Sequence, residues 1–481
     1  TTFYWLFNRY AMAYRMLLFS FVTFIFIAPV YNSVPEKEDV CSAIKQPLDR
    51  AHFATKTAYE AAINKDTLIN VQFQEEVSET CGGTAQLLWL VTRHGIRYPV
   101  KSEIMKMGAT LPLLAQELVF NSKEGRGCLS EADVKELENF VLPYGLQDSG
   151  QLHEAGADEQ FSLGEFWKRE FPKIFAEPYD EKYYKVEFTT MNRTGQSAYH
   201  FLRGMFGDDA VARINLPKPR SPNYKLRAYI SCPAWQSEVK NNKETYREQR
   251  LFQQHPDFLA MVDDVTKRLG YTQAVNLDEL MLIYSECRFE AAWWPHRHSV
   301  WCKVFSNDDL QVLEYHQALS YYYEDSYGGP ELNAQITCAA AADLYKRMKA
   351  AVEDSSEYPR ALLYFSHDKA LLQLQTLLGL HRPAQHLTHS NRQLYKHSPF
   401  QISYIAPFST NLAFVLYKCR DGSHRVGGML QGAPISLATL CPAADGEQTQ
   451  QRATCPWPPP LLKEIADNCA VRRLCNKHDE L

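Results

Sequence analysis

Apolar residues along the chain follow two rhythms. Short unbroken runs, Leu87-Leu88-Trp89-Leu90-Val91 and Ala361-Leu362-Leu363-Tyr364-Phe365, predict strands buried on both faces. Tyr184 to Phe188, Leu412 to Tyr417 and the stretch around Val426 to Leu430 predict three more. Elsewhere the apolar positions recur at helical spacing. Ser197, Ala198, Phe201, Leu202 and Met205 form a stripe that closes at Gly207, and Gly164, Phe166, Trp167 and Phe171 finish an amphipathic helix before Pro172. Another helix is predicted from Lys369 to Leu380. Residues 35 to 80 are polar and mostly helical in pattern, with Ala54, Ala58, Ala61 and Ala62 along one face, until Cys81-Gly82-Gly83 breaks the chain.

The stretch from 208 to 340 lacks a buried-strand pattern. It has longer helices and the aromatic clusters Trp293-Trp294 and Tyr321-Tyr322-Tyr323, which are expected to pack in a core or between domains. The predicted order is therefore a leader over 1–33, the first part of an α/β core over 34–207, an inserted mainly α-helical domain over 208–340, the second part of the core over 341–450, and a C-terminal tail over 451–481. In that tail Cys455-Pro456-Trp457-Pro458-Pro459-Pro460 reads as a stiff linker into a last short helix.

At 481 residues and 45% apolar composition the chain can bury a large core. Its 51 basic and 56 acidic side chains, net -5, argue against general binding to nucleic acid or a membrane surface, so any anion site is local. Residues 16 to 30, preceded by Arg9 and Arg15, have the order of a secretory signal, with Met12 and Met16 as candidate starts and cleavage expected between Ala28 and Val34. An uncleaved signal anchor is the alternative, although the run is short for a membrane span, and no stable membrane insertion is expected. His478-Asp479-Glu480-Leu481 matches the address read by the retrieval receptor of the endoplasmic reticulum, which would place the protein in that lumen. Twelve cysteines suit the same oxidising compartment. No CxxC pair points to zinc or redox work, and no metal or cofactor is expected. Cys287 with Cys302, and pairs among Cys419, Cys441, Cys455, Cys469 and Cys475, are close enough to suggest local staples.

Three predicted strands end in reactive tripeptides: Thr92-Arg93-His94, Met191-Asn192-Arg193 and Ser366-His367-Asp368. Ligands of open α/β sheets bind outside the carboxyl ends of the strands, so these residues are expected to meet. Planar guanidiniums match phosphate oxygens two at a time, which makes Arg93, Arg97 and Arg193 a clamp for a transferring phosphoryl group. A neutral imidazole can attack phosphorus, and neighbouring cations keep it neutral, so His94 is the candidate nucleophile. Asp368 is the candidate proton donor, and His367 a further phosphate contact. Each piece alone has a plainer reading, as solvated surface charge or a chance dipeptide. Their coincidence at three strand ends favours catalysis. Asn192-Arg193-Thr194 is also the chain's one glycosylation sequon, and its place in the site argues against a glycan there.

RHGIRYP at 93–99, NRTGQSAYHFLRGMFG at 192–207 and SHD at 366–368 resemble the histidine acid phosphatase family, a branch of the histidine phosphatase superfamily. Residues 286–328 and the terminal HDEL look more like its multiple inositol polyphosphate phosphatases. The resemblance implies an α/β sandwich with a central mixed, mostly parallel sheet flanked by helices, plus an inserted mainly helical domain. It also implies the roles already given to His94, Arg93, Arg97, Arg193 and His367, and inositol polyphosphates or 2,3-bisphosphoglycerate as substrates. The chain departs from that branch where His367-Asp368-Lys369 replaces His-Ala-Glu, so the proton donor falls one residue earlier, on a shorter side chain. Lys369 and Lys101 either add positive charge for a polyanion or point into solvent. A broad-specificity acid phosphatase, and an inactive lumenal phosphate-binding protein, are the alternatives.

Overall fold

The computed structural model of the protein describes residues 37–63, 81–353, 358–442 and 454–476; the leader and the HDEL sequence lie outside these. A seven-stranded mixed sheet organises them, flanked by helices as expected. Its strands are β1 (Thr84–Arg93), β2 (Tyr184–Phe188), β3 (Ala361–Ser366), β4 (Asn411–Lys418), β5 (His424–Leu430), β6 (Ala433–Pro434) and β7 (Thr454–Pro456). The order is β2-β3-β1-β4-β5-β6, with β7 also pairing β5. β2, β3 and β1 are mutually parallel, and the remaining pairings are antiparallel.

The central strands are buried on both faces because each face meets its own core. Leu87, Trp89 and Val91 of β1, with Leu362 and Tyr364 of β3, join one apolar cluster. Leu88 and Leu90, with Ala361, Leu363 and Phe365, join the other. Period-two alternation thus survives inside continuous apolar runs. Each fully buried large side chain contributes about 1.5–3 kcal/mol by leaving water.

The second cluster is covered by α2 (Glu154–Glu170) and α3 (Asn192–Phe206), the helix predicted from the Ser197–Met205 stripe. These two helices touch backbone to backbone. A Cβ on Gly164 would lie 2.0 Å from the carbonyl oxygen of Phe201, and one on Gly204 would lie 2.0 Å from that of Phe161. The first cluster is covered by α1 (Lys101–Lys123), α4 (Leu277–Trp293), α5 (Asn307–Asp325) and α6 (Cys338–Val352). α6 is locked to the sheet through Asp343, whose carboxylate accepts from Trp89 Nε1 at 3.0 Å and the Tyr364 hydroxyl at 2.6 Å. Another helix, α7 (Asp368–Leu377), leaves β3 directly.

All twelve cysteines are paired. Cys287–Cys302 and Cys441–Cys455 are the local staples expected, but the other expectations for this group fail. Cys419 joins Cys81, Cys469 joins Cys338 and Cys475 joins Cys232, over separations of 338, 131 and 243 residues. Chain proximity misleads here because the sheet and the helical stretch bring distant segments together. The stretch at Cys455 also departs from the expected linker: Thr454–Pro456 pairs with Arg425–Gly427 as a strand. Residues 54–62 form a 3-10 turn and a single helical turn rather than one amphipathic helix. Among the described residues no helix is long and apolar enough to cross a membrane.

Candidate active site

Parallel register assembles the site. Arg93 at the end of β1 pairs with Ser366 at the end of β3, so the next residues, His94 and His367, leave the sheet side by side. Phe188 of β2 pairs with Phe365, which brings Thr189 alongside. The His94 and His367 rings stand edge to face with centroids 5.4 Å apart. α3 and α7 both begin here, carrying Arg193 and Asp368 in their first turns. The turn after β1 is pressed against α2: a Cβ on Gly95 would come within 2.3 Å of the Gly156 carbonyl oxygen, so only glycine fits.

His94 is buried, and its Nδ1 lies 2.9 Å from the carbonyl oxygen of Gly95. A carbonyl only accepts, so the proton sits on Nδ1 and Nε2 presents its lone pair. Burial, and then the charges of Arg193, Arg93, His367 and Arg97, push the His94 pKa well below its ordinary value. The ring is therefore neutral at any pH near 7. His367 is held in the opposite sense. Its Nε2 donates to Thr189 Oγ1 at 3.0 Å, and its Nδ1 faces Arg193 Nη2 at 3.5 Å.

The guanidiniums are fixed by backbone carbonyls and rings. Arg93 Nη1 donates to Thr55 O at 2.6 Å and Ala406 O at 2.9 Å, and its plane lies 4.4 Å from the Phe408 centroid. Arg97 Nη1 donates to Tyr98 O at 2.7 Å, beside Glu103 Oε2 at 3.5 Å. Burial, then Arg97, pushes Arg193 down to about 9, so it remains charged at neutral pH. The Nε atoms of Arg93 and Arg193 are buried without a partner. Asp368 Oδ2 lies 3.2 Å from Arg93 Nη2. Burial opposes ionisation of this carboxyl, but Arg93, Lys56 and Lys369 outweigh it and hold its pKa below the usual carboxylate range.

Arg93, His94, Arg97, Arg193, His367 and Asp368 thus share one cluster. Lys101 stands apart from it, exposed at the first position of α1. Lys369 neither points into solvent nor offers free charge. Its ammonium is held by Glu324 at 2.7 Å and Asp325 at 2.8 Å, at the end of α5. Three contributors carry no motif and escape sequence reasoning. Lys56 lies buried beside Arg93 and Arg97. The Tyr321 hydroxyl meets Thr55 Oγ1 at 2.9 Å next to Asp368, and Trp293 Nε1 donates to Arg97 O at 3.2 Å. Both aromatics belong to the clusters read as plain packing; they are packed, and they also wall the site.

Comparison with known proteins agrees with this geometry. Residues 86–427 match the model of the histidine phosphatase superfamily (branch 2). A multiple inositol polyphosphate phosphatase 1 from Drosophila melanogaster is 28% identical over 393 residues, which is 80% of each chain. Among solved structures, the phytase from D. castellii superposes with a TM-score of 0.63 at 15% identity, covering 93% of this chain and 91% of its own. The multiple inositol polyphosphate phosphatase of Bifidobacterium longum, in complex with inositol hexasulfate, gives 0.61 at 15% identity, covering 89% and 99%. These likenesses establish the shared fold. With the family model spanning most of the described core, the chain belongs to branch 2 of the histidine phosphatase superfamily and is a phosphatase.

Proposed function

We propose that the chain removes phosphate from inositol polyphosphates through a phosphohistidine formed on His94. One observation carries the reading: the His94 Nδ1 contact with Gly95 O, which leaves Nε2 unprotonated among three guanidiniums. In the first step Nε2 bonds to phosphorus while the bond from phosphorus to the leaving oxygen breaks, and Asp368 gives that oxygen a proton. In the second step water attacks phosphorus, Asp368 takes the proton, the P–N bond breaks and inorganic phosphate leaves. Arg93, Arg97 and Arg193 meet the charge on the equatorial oxygens, with His367 as a further contact. The starts of α3 and α7 add their dipoles. The charge that a metal ion meets in other phosphoryl-transfer enzymes falls here to arginine.

The substrate class follows the names of the relatives and the excess of positive charge around the site. A broad acid phosphatase is the second reading, favoured by Asp368 standing where the inositol polyphosphate branch has alanine. A panel of inositol hexakisphosphate, 2,3-bisphosphoglycerate and an aryl phosphate separates the two. Preference for the aryl phosphate would overturn the first. Acid quench with labelled substrate tests the chemistry: wild-type protein should yield an acid-labile, base-stable phosphoprotein, and His94→Ala none, with turnover reduced about 10⁴-fold or more. Undiminished turnover in His94→Ala would refute the mechanism. The six disulfides fit a secreted or lumenal protein, and retrieval to the endoplasmic reticulum through residues 478–481 completes the proposal.

A further inference from the structure

We propose that Lys56 binds a second phosphate of the substrate, on the leaving-group side of the phosphate being transferred. The inference rests on the phosphatase reading above and assigns a specificity residue to it.

Lys56 closes the 3-10 turn Ala54–Lys56, and the carbonyl just before it, on Thr55, is one of the two that hold Arg93. Its ammonium lies 5.5 Å from the Phe289 centroid and 6.0 Å from the Phe408 centroid. Those two rings also carry clamp arginines, with Arg97 5.4 Å from Phe289 and Arg93 4.4 Å from Phe408. The residue is 7% exposed, and among the described residues its ammonium has neither a hydrogen-bond nor an ion-pair partner. Burial first, and then the charges of Arg97, Arg288 and Arg93, disfavour its ionised form, against the carboxylates of Glu103 and Asp368. Glu103 is already occupied by the backbone N–H of Val100 at 2.8 Å and by Arg97. A buried ammonium without a partner weakens a fold, so its presence calls for an anion that arrives from outside.

The side on which that anion sits follows from which reacting group Lys56 faces. Of the charges favouring ionised Asp368, Arg93 leads and Lys56 comes next. Geometry agrees: Lys56 directly follows Thr55, whose carbonyl oxygen accepts from Arg93 Nη1, and Arg93 Nη2 lies 3.2 Å from Asp368 Oδ2. In an in-line displacement the entering nitrogen and the leaving oxygen lie on opposite sides of phosphorus. Asp368 serves the leaving oxygen, so a cation joined to it through Thr55 and Arg93 stands near the leaving group. On an inositol polyphosphate the carbons next to that oxygen carry further phosphates. Lys56, flanked by buried Arg288, is placed to meet one of them. A monophosphate offers it nothing.

The test compares Lys56→Met and Lys56→Arg with the wild type on inositol hexakisphosphate and on p-nitrophenyl phosphate. Lys56→Met should lose at least about tenfold more in kcat/KM on the hexakisphosphate than on the aryl phosphate, and Lys56→Arg should recover most of it. Equal losses on both substrates, or none on either, would overturn the assignment. Calorimetric binding of inositol hexasulfate and of inorganic phosphate gives a second readout that needs no turnover. There Lys56→Met should weaken hexasulfate binding well beyond phosphate binding, and an unchanged ratio would refute the role. If the wild type hydrolyses neither substrate, the phosphatase reading falls, and the binding comparison alone decides the fate of Lys56.

Discussion

Two opposed protonation states lie within one cluster of charge. The same arginines that keep His94 neutral also keep Asp368 ionised. A nucleophile needs the first effect, whereas a proton donor needs the reverse of the second. In the proposed mechanism the substrate resolves the conflict, because its dianion would neutralise the arginines and let Asp368 take up a proton. In the free enzyme Asp368 is ionised throughout the working range, so that proton comes with the phosphate monoanion or by uptake on binding. Above the second phosphate pKa of about 6 the monoanion disappears, so kcat/KM should fall as pH rises from 6 to 8. On the acid side of 6 it should hold, since burial and the neighbouring arginines keep the His94 pKa well below its ordinary value. A pH–rate profile checks both limbs, and one that rises with pH would contradict the assignment. Asp368→Asn should cost about 10²–10⁴-fold in kcat, with the larger loss on inositol phosphates, whose alkoxide leaves poorly, and the smaller on aryl phosphate.

At the scale of elements, Asp368 owes its position to how α7 is anchored. Lys369, the next residue, ties the start of that helix to Glu324 and Asp325 at the end of α5, and Gln373 Nε2 adds a bond to Asp325 Oδ1 at 3.1 Å. Asp325 is fully buried, and burial pushes its carboxyl up to about 7 despite Lys369. Lys369→Met would leave that carboxylate without its cation. Loss of one member of a buried pair costs about 3–5 kcal/mol, so denaturant unfolding should show a drop of that order. A change below 1 kcal/mol would mean the network is idle. The sequence could show Lys369 beginning a helix, but its partners lie 44 and 45 residues earlier on another helix. The strand ends were legible for the opposite reason, because five residues of continuous apolar pattern stop abruptly at polar groups.

For the molecule as a whole, the parallel trio β2-β3-β1 carries the candidate site at its ends and the antiparallel strands extend the sheet beyond it. Cys81–Cys419 closes the end of the β1–β4 pair remote from His94, just past the pairing of Thr84 with Lys418. It spans 338 residues, so its main effect falls on the unfolded chain. Replacing both cysteines by alanine should lower the unfolding free energy by about 2–5 kcal/mol in denaturant titrations, while leaving kcat of the folded protein near wild type. A matching fall in kcat would show that the bond also shapes the site. The three long-range disulfides near the chain's end tie it back to the sheet and the helical stretch, which explains why local spacing foretold only two of the six bonds.

The sequence by itself determined the local conformations and the reactive groups. Apolar runs and stripes located β1, β2, β3 and α3, with β2 and β3 matched to within one residue, and RHGIRYP, NRT and SHD together named the six side chains that meet at the centre. Both kinds of information are carried by neighbours along the chain, where spacing is a few ångströms per residue. Tertiary structure decided everything that depends on distance through space. It selected the strand register that sets His94 against His367, the cysteine pairs, the neutralisation of Lys369, and the burial of Lys56 between two phenyl rings. Such contacts leave no local trace, because each partner is an ordinary residue in its own stretch and acquires its role only when the sheet and helices close around it.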